Sequence, residues 1–271
     1  MTRYHISLAV LICINLTSYS QHQTEPMIVA HRGASFDAPE NTIPAFLLAW
    51  EQGADAIEGD FFLTSDGEIV CIHDHTTGRV AGKNLIVHET SLKELQKLDV
   101  GMWKGEKWKG TRIPTIAEVF ATVPDDKMIF VEIKPGVEIL PRMYEEIERS
   151  GLRPDQIVII SFNPEVIRDF KLKRPDIKAY WLTALRRDEN GVIFPSHNLL
   201  MQILRITGAD GISTHHSHIT RPFVEKTIAA GFEYHVWTVN NPERAAELKE
   251  YGTMSITTDV PQVIREHLRK Q

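Results

Sequence analysis

From residue 27 to the C-terminus, short apolar runs of strand character alternate with segments of helical periodicity, and this alternation constrains the fold more than any other feature. Runs at 27–31, 54–61, 68–73, 128–134, 156–161, 177–182, 211–214, 233–239 and 254–258 read as strands. Helix-like segments at 42–52, 116–122, 137–149, 164–173, 197–206, 222–230, 242–251 and 260–269 separate most of them. The ends are punctuated as helices require: Asn41 or Thr42 can cap the first helix, Pro44 fits its first turn, and Gly53, Gly231 and Gly252 stand where C-caps belong. The run at 68–73 follows the turn Ser65-Asp66-Gly67, so it reads as a hairpin-like partner of the run before it. Repeated βα units over 27–271 match the size of a (β/α)8 TIM-type barrel, typically about 250 residues. A doubly wound open sheet is the alternative, and no G-x-G-x-x-G follows the first strand to favour its dinucleotide-binding form.

Two stretches depart from the repeat. Residues 75–114 loosen into a small insertion rich in Gly, Lys and Trp (GMWKGEKWKG), with one helix expected at 91–98. Its glycines and solvated lysines predict a mobile loop. Trp103 and Trp108 then either shape substrate access or pack the loop onto the barrel. The other departure is residues 1–20, where Arg3 precedes the apolar ISLAVLICINL and then Ser18-Tyr19-Ser20, the three-part pattern of a cleaved signal peptide. That run is shorter than the ~20 residues of a membrane-spanning helix, and Ile12 before Cys13 disfavours a lipoprotein signal. The expected organisation is a signal peptide at 1–20, a spacer at 21–26 and one catalytic domain at 27–271, exported to the periplasm or secreted, with no stable membrane insertion. Cleavage would leave Cys71 as the single thiol, which excludes an intramolecular disulfide and reads as a buried core residue. A formal net charge of -6 without a basic stripe excludes a nucleic-acid partner.

The polar residues that end the strands carry the chemistry. Side chains two apart on a strand share a face, and in a parallel barrel the polar groups at C-terminal strand ends face the active site. Glu58 and Asp60 therefore point inward together, as do Glu132 and Lys134. Three carboxylates brought to one surface cost several kcal/mol each, on the order of the penalty for any buried charge, unless paired or bound to metal. A divalent cation is one partner, and oxygen-only ligands favour Mg²⁺ or Ca²⁺; a salt-bridge network with Arg32 and Lys134 is the other. His31 and His73 both end strands and bracket the Glu-x-Asp pair. Imidazole titrates near neutrality, so one ring can take a proton from a nucleophile while the other donates to a leaving group. Arg32 offers a forked cation suited to phosphate oxygens.

These residues resemble a known family. His31-Arg32-Gly33, Glu40-Asn41-Thr42, Gly53-Ala54-Asp55, Glu58-x-Asp60, Thr64-x-Asp66-Gly67, His73-Asp74, Glu132-Ile133-Lys134 and Val236-Trp237-Thr238-Val239-Asn240 look like the glycerophosphodiester phosphodiesterases, in the right order from Met27 to about Gln262. The resemblance implies a TIM-type barrel that hydrolyses a small-molecule glycerophosphodiester to glycerol 3-phosphate and an alcohol with Ca²⁺ or Mg²⁺. It implies Glu58, Asp60 and Glu132 as metal ligands, His31 and His73 as the acid/base pair, and Arg32 and Lys134 as phosphate holders. Trp237 would line the pocket, although a strand-end aromatic is also a common core plug. The family pattern further implies attack by the substrate's own glycerol hydroxyl, through a cyclic phosphate.

Gly59 departs from the family, which has an apolar residue between the acids; altered packing and a looser metal strand are expected. Thr214-His215-His216-Ser217-His218 reads as a solvated loop rather than a second metal site. Cys71 shares the phase of His73 and is expected one layer deeper in the barrel. Competing readings are a lysophospholipase D-like enzyme on the same barrel, a non-catalytic barrel that binds phosphodiesters or polyols, and a metal-dependent sugar isomerase. Oligomeric state, the alcohol and the preferred metal are not encoded legibly.

Overall fold

The computed structural model describes residues 25–270. The proposed signal peptide and Cys13 lie outside the described residues. Eight strands form a closed parallel barrel among them: β1 (Met27–Ala30), β2 (Ala56–Leu63), β3 (Met128–Ile133), β4 (Ile157–Ser161), β5 (Lys178–Thr183), β6 (Gly211–His215), β7 (Glu233–Trp237) and β8 (Ser255–Thr258). Closure is made by β1, which pairs with β2 on one side (Val29 beside Ala56) and with β8 on the other (Ala30 beside Thr258). Eight helices follow the strands: α1 (Ile43–Glu51), α2 (Ile116–Phe120), α3 (Leu140–Ser150), α4 (Pro164–Lys173), α5 (His197–Thr207), α6 (Arg221–Ala229), α7 (Pro242–Glu250) and α8 (Pro261–Leu268).

Local chemistry sets these elements. On α3, Leu140, Met143 and Ile147 recur at helical spacing and bury one face, and Gly151 in the left-handed region (φ 72°) ends the helix. Thr42 caps α1, accepting from Ala45 N–H at 3.4 Å, which frees the Asn41 side chain for another task. On β3 the alternation is visible in the packing: Ile129, Val131 and Ile133 join the core beneath the helices, while Phe130 turns into the barrel with Val29, Ala56, Val158, Ile160, Tyr180 and Leu182. Burying each such side chain contributes roughly 1.5–3 kcal/mol. At the N-terminal end the interior is plugged by Tyr180 stacked on His235 (centroids 4.0 Å apart), with Glu233 accepting from Tyr180 Oη at 2.5 Å and Lys178 Nζ at 2.8 Å.

Three expectations are corrected. The short strand Ile69–Cys71 runs antiparallel to the end of β2, with Phe61 beside Cys71, so it lies outside the closed barrel. Cys71 is accordingly not a deeper barrel layer; it is buried in the outer core, with Sγ directed at Asn41 Oδ1 (3.2 Å). Gly59 leaves no gap in β2 either: a Cβ there would stand 3.1 Å from Cys71 Sγ and 3.3 Å from both Phe46 Cζ and Phe61 Cε2, so the packing is altered by larger neighbours that already fill the space. The insertion, finally, has its own small core of Val70, Val80, Val87, Leu95, Val100 and Ile113 beneath short helices Gly78–Ala81 and Leu92–Leu95. Asp99 pins its glycine-rich turn, accepting from the backbone N–H of Gly101 (2.9 Å), Met102 (3.0 Å) and Gly110 (2.7 Å). The mobility read from composition is offset by this packing. No helix of the described residues is long and apolar enough to cross a membrane.

Candidate active site

Strand phase delivers the acids as the spacing requires. Glu58 and Asp60 on β2 and Glu132 on β3 are buried, and one carboxylate oxygen from each lies within 4.8 Å of the others. The loop after β1 folds back over them. Arg32, in the left-handed region (φ 55°), donates its backbone N–H to Glu58 Oε2 at 2.9 Å. Asn41 (φ 57°) grips Asp60 at two points, donating Nδ2 to Oδ2 (2.8 Å) and accepting from the Asp60 backbone N–H (3.1 Å). A non-glycine residue at positive φ costs on the order of 1–3 kcal/mol and clusters at functional sites. Here both strained residues touch the carboxylates.

The charges do not balance evenly. Asp60 receives both cations, Lys134 Nζ and Arg32 Nε each at 3.2 Å; burial pushes its carboxyl up, but these two pull it down to about 2. Glu58 is raised well above the usual carboxylate range, first by burial, then by Asp60 and Glu132. Burial and Asp60 also push Glu132 up to about 7, with Lys134 opposing. Lys134 Nζ lies 2.8 Å from Glu132 Oε1, but that oxygen has no well-directed hydrogen bond, so the contact is a charge contact. Glu58 Oε1 is buried with no partner at all. The salt-bridge network with Arg32 and Lys134 therefore exists, yet it sets two cations against three carboxylates, both on Asp60 and one also on Glu132, and leaves Glu58 and Glu132 crowded. A divalent cation fits that surplus: the donors are all oxygen, and two buried carboxylate oxygens, Glu58 Oε1 and Glu132 Oε1, have no hydrogen-bond partner.

Each histidine is held by its own carboxylate. His31 Nδ1 lies 2.7 Å from Asp259 Oδ1, just beyond β8, and Asp259 also accepts from Ser35 Oγ (2.9 Å) and Asn240 Nδ2 (2.6 Å). Burial raises Asp259, but His31, Asn240 and Ser35 bring it down to about 2. His73 Nδ1 lies 2.7 Å from Asp74 Oδ1, whose other oxygen accepts from Arg79 Nε at 2.6 Å. Arg79 continues to Glu40 (2.7 and 2.8 Å), and Glu40 to Arg32 Nη1 (3.0 Å), so one chain of ion pairs joins His73 to the acids. With Nδ1 engaged, each ring keeps Nε2 for a reacting group.

His31, Arg32, Glu58, His73, Glu132, Lys134 and Trp237 line one cavity of about 150 Å³, with Asp60 immediately behind. All eight predicted site residues thus meet at one strand-end surface. Trp237 donates Nε1 to Ser213 O (3.2 Å) and stands edge-on to Phe162 (5.5 Å, 82°), so it is a wall of the cavity. The rings of His215 and His216 lie 4.7 Å apart and half-buried, and His215 stands edge-on to Trp237 (5.1 Å), so neither lies free in solvent. They join no metal-type cluster among the described residues. Sequence reasoning missed Asp259 and the second role of Asn41. The first carries the same strand-end signal as His31; the second has no local signal, because Asn beside Thr before a helix reads as a cap.

The comparisons agree with this geometry. Residues 31–263 match the Glycerophosphoryl diester phosphodiesterase family. A glycerophosphodiester phosphodiesterase of Caldanaerobacter subterraneus subsp. tengcongensis is 35% identical over 248 residues, covering 90% of this chain and 98% of its own. The Oleispira antarctica phosphodiesterase, solved in complex with the product sn-glycerol-3-phosphate, is similar in structure with a TM-score of 0.82 and 28% identity, over 90% of this chain and 97% of that one. The glycerophosphodiester phosphodiesterase of Thermotoga maritima shares the fold at a TM-score of 0.73 and 24% identity, over 90% and 99%. By motif, barrel and match over nearly its whole described length, the chain belongs to the glycerophosphoryl diester phosphodiesterase family.

Proposed function

We propose that the chain hydrolyses glycerophosphodiesters to glycerol 3-phosphate and an alcohol, by histidine acid/base catalysis with a carboxylate-held divalent cation. One observation carries the reading: a crowded, buried three-carboxylate cluster shares a single cavity with two imidazoles, each anchored by its own aspartate. Glu58, Asp60 and Glu132 would hold Ca²⁺ or Mg²⁺, which supplies positive charge to the phosphoryl oxygens.

The residues of the chain do the rest. Arg32 and Lys134 hold the non-bridging oxygens, the guanidinium by its fork and the ammonium as a point charge. One imidazole accepts the proton of the substrate's own glycerol hydroxyl through Nε2 as the new O–P bond forms, and the other gives its proton to the alcohol oxygen as the old P–O bond breaks, leaving a cyclic phosphate. Water then opens that ring with the roles reversed, the second imidazole taking the water's proton and the first returning its proton to the glycerol oxygen, so glycerol 3-phosphate is released and both rings regain their starting states. Asp259 positions His31, and Asp74 with Arg79 positions His73. Trp237 and Phe162 bound the glycerol or alcohol part. The glycerol 3-phosphate held by the Oleispira antarctica relative supports that product.

The test is a panel of glycerophosphodiesters with Ca²⁺, with Mg²⁺ and with chelator, reading released glycerol 3-phosphate. Turnover is expected with a metal and lost on chelation. If neither metal supports cleavage of any diester, the reading falls, and phosphodiester binding without chemistry replaces it. Export by residues 1–20 belongs to the same proposal. N-terminal sequencing of the mature protein should find those residues gone, and a retained Met1 would refute it.

A further inference from the structure

Exposed aromatic rings on this barrel are confined to one end of it. Among the described residues the exposed Phe and Trp side chains are Phe36 (66%), Trp103 (44%), Phe162 (48%) and Phe194 (63%). Each follows a different strand on its C-terminal side: Phe36 in the loop after β1, Trp103 in the insertion after β2, Phe162 after β4, and Phe194 in the ribbon formed by Arg186–Arg187 and Ile193–Phe194 after β5. All four therefore surround the active-site mouth. Met102, also exposed, adjoins Trp103. Exposed apolar residues such as Leu172 and Ile206 are aliphatic, lie singly on helices, and are ordinary.

Cations are interleaved with the rings. Lys104 Nζ stands 6.0 Å from the Phe36 ring centroid and 5.4 Å from that of Trp103, and it donates to Ser35 O at 2.7 Å. Arg186 is the cross-strand partner of Phe194, and Arg187 is exposed beside it. Residues 102–112 carry Lys104, Lys107, Lys109 and Arg112 against one acid, Glu106, in a chain whose net charge is -6. Both segments are held in place, the first by Asp99 and the second by Asp188, which accepts from Val192 N–H at 2.7 Å and Asn190 N–H at 3.0 Å. The rim is also close to the chemistry: Ser35, held by Lys104, shares the Asp259 carboxylate with His31.

We propose that this rim docks the chain on an anionic lipid surface with the active-site mouth facing the headgroups. Phe36, Trp103 and Phe194 enter the headgroup boundary, where aromatic rings with a wet side are favoured, and Lys104, Arg186 and Arg187 meet lipid phosphates. Interleaved rings and cations on separate loops around an open mouth suit a fluid, negatively charged surface. A protein partner would instead meet a continuous apolar patch with a polar rim. Resting on the proposed function, the consequence is that diesters presented at a lipid surface, such as the headgroups of lysophospholipids, reach the site without leaving that surface.

Vesicle flotation of the full chain tests it, with phosphatidylcholine alone against about equal parts phosphatidylcholine and phosphatidylglycerol. The expected result is roughly tenfold more protein on the anionic vesicles, reversed by high salt as screening requires. The double variant Trp103→Ser, Phe194→Ser should lose about tenfold of that binding while a water-soluble glycerophosphodiester is cleaved at the unchanged rate, as expected for two rings that together bury ample apolar area. Absent binding, equal binding to both vesicles, or undiminished binding of the double variant overturns the proposal. Flotation is read with metal chelated and needs no turnover, so failure of diester hydrolysis would leave this result standing, and the reverse.

Discussion

Replacing Asp259 by Asn tests how the His31 ring is held. The carboxylate sits 2.7 Å from His31 Nδ1, and the neutral donors Ser35 and Asn240 leave its negative charge intact. An amide of the same shape removes that charge. It can also offer N–H to Nδ1, which would turn the ring's own N–H toward the cavity and occupy the lone pair that Nε2 needs. A hydrogen bond to a charged group is worth roughly 1.5–3 kcal/mol, and each ~1.4 kcal/mol of barrier is tenfold in rate. Asp259→Asn should therefore lower kcat by about 10- to 150-fold, with KM nearly unchanged because Arg32, Lys134 and the acids are untouched. Steady-state release of glycerol 3-phosphate measures this. The tautomer is read independently by nitrogen chemical shifts of His31, in which Nδ1 should change from proton-bearing to bare. A variant with wild-type kcat and an unchanged His31 tautomer would refute the reasoning.

Other perturbations separate stability from chemistry. Glu58→Gln removes a buried like charge whose Oε1 has no partner, so in chelator it should unfold a few degrees above wild type, about 1 kcal/mol for a chain of this size, while losing the stabilisation that added metal gives wild type; thermal melts with and without Ca²⁺ decide. Gly59→Val forces branches into a site where even Cβ has neighbours at 3.1–3.3 Å, and overpacking costs about 1–3 kcal/mol, read as a lower denaturant midpoint at constant slope. His235 is buried, and that burial lowers its pKa, against the pull of Glu233. The unfolded chain then takes a proton first as pH falls below about 6.5, so stability is full above that pH and declines below it. His235→Gln should flatten this slope in urea titrations between acid and neutral pH; an unchanged slope places the titration elsewhere. A chain ending before Met128 lacks Glu132 and Lys134, and calorimetry should find no Ca²⁺ or Mg²⁺ binding comparable to the full chain.

Much of the fold is legible because its signals are local. Alternating strand and helix patterns predicted the barrel. The i, i+2 spacing of Glu58 with Asp60, and of Glu132 with Lys134, predicted a shared inner face through the two-residue period of a strand. The misreadings were tertiary. Cys71 has the right phase for the barrel, but its strand leaves the barrel in a hairpin, so phase no longer specifies layer. Gly59 reads as a gap until Cys71, Phe46 and Phe61 are seen to occupy it. The insertion reads as mobile because its glycines are local, whereas its core draws on Val70, Leu95 and Ile113 from distant positions.

By itself, then, the sequence determined which side chains end strands and which face they take, because strand period and cap chemistry act over a few residues. Only the tertiary structure decided their partners. Closing the barrel sets β1 in parallel register with β8, Ala30 beside Thr258, and this brings Asp259 to His31 across 228 residues. The pairing of β2 with β3, Asp60 beside Glu132, crowds three acids into a space that holds only two cations. Charge imbalance depends on distance and burial, which no local pattern encodes, and it is this imbalance that suits the strand ends to hold a cation.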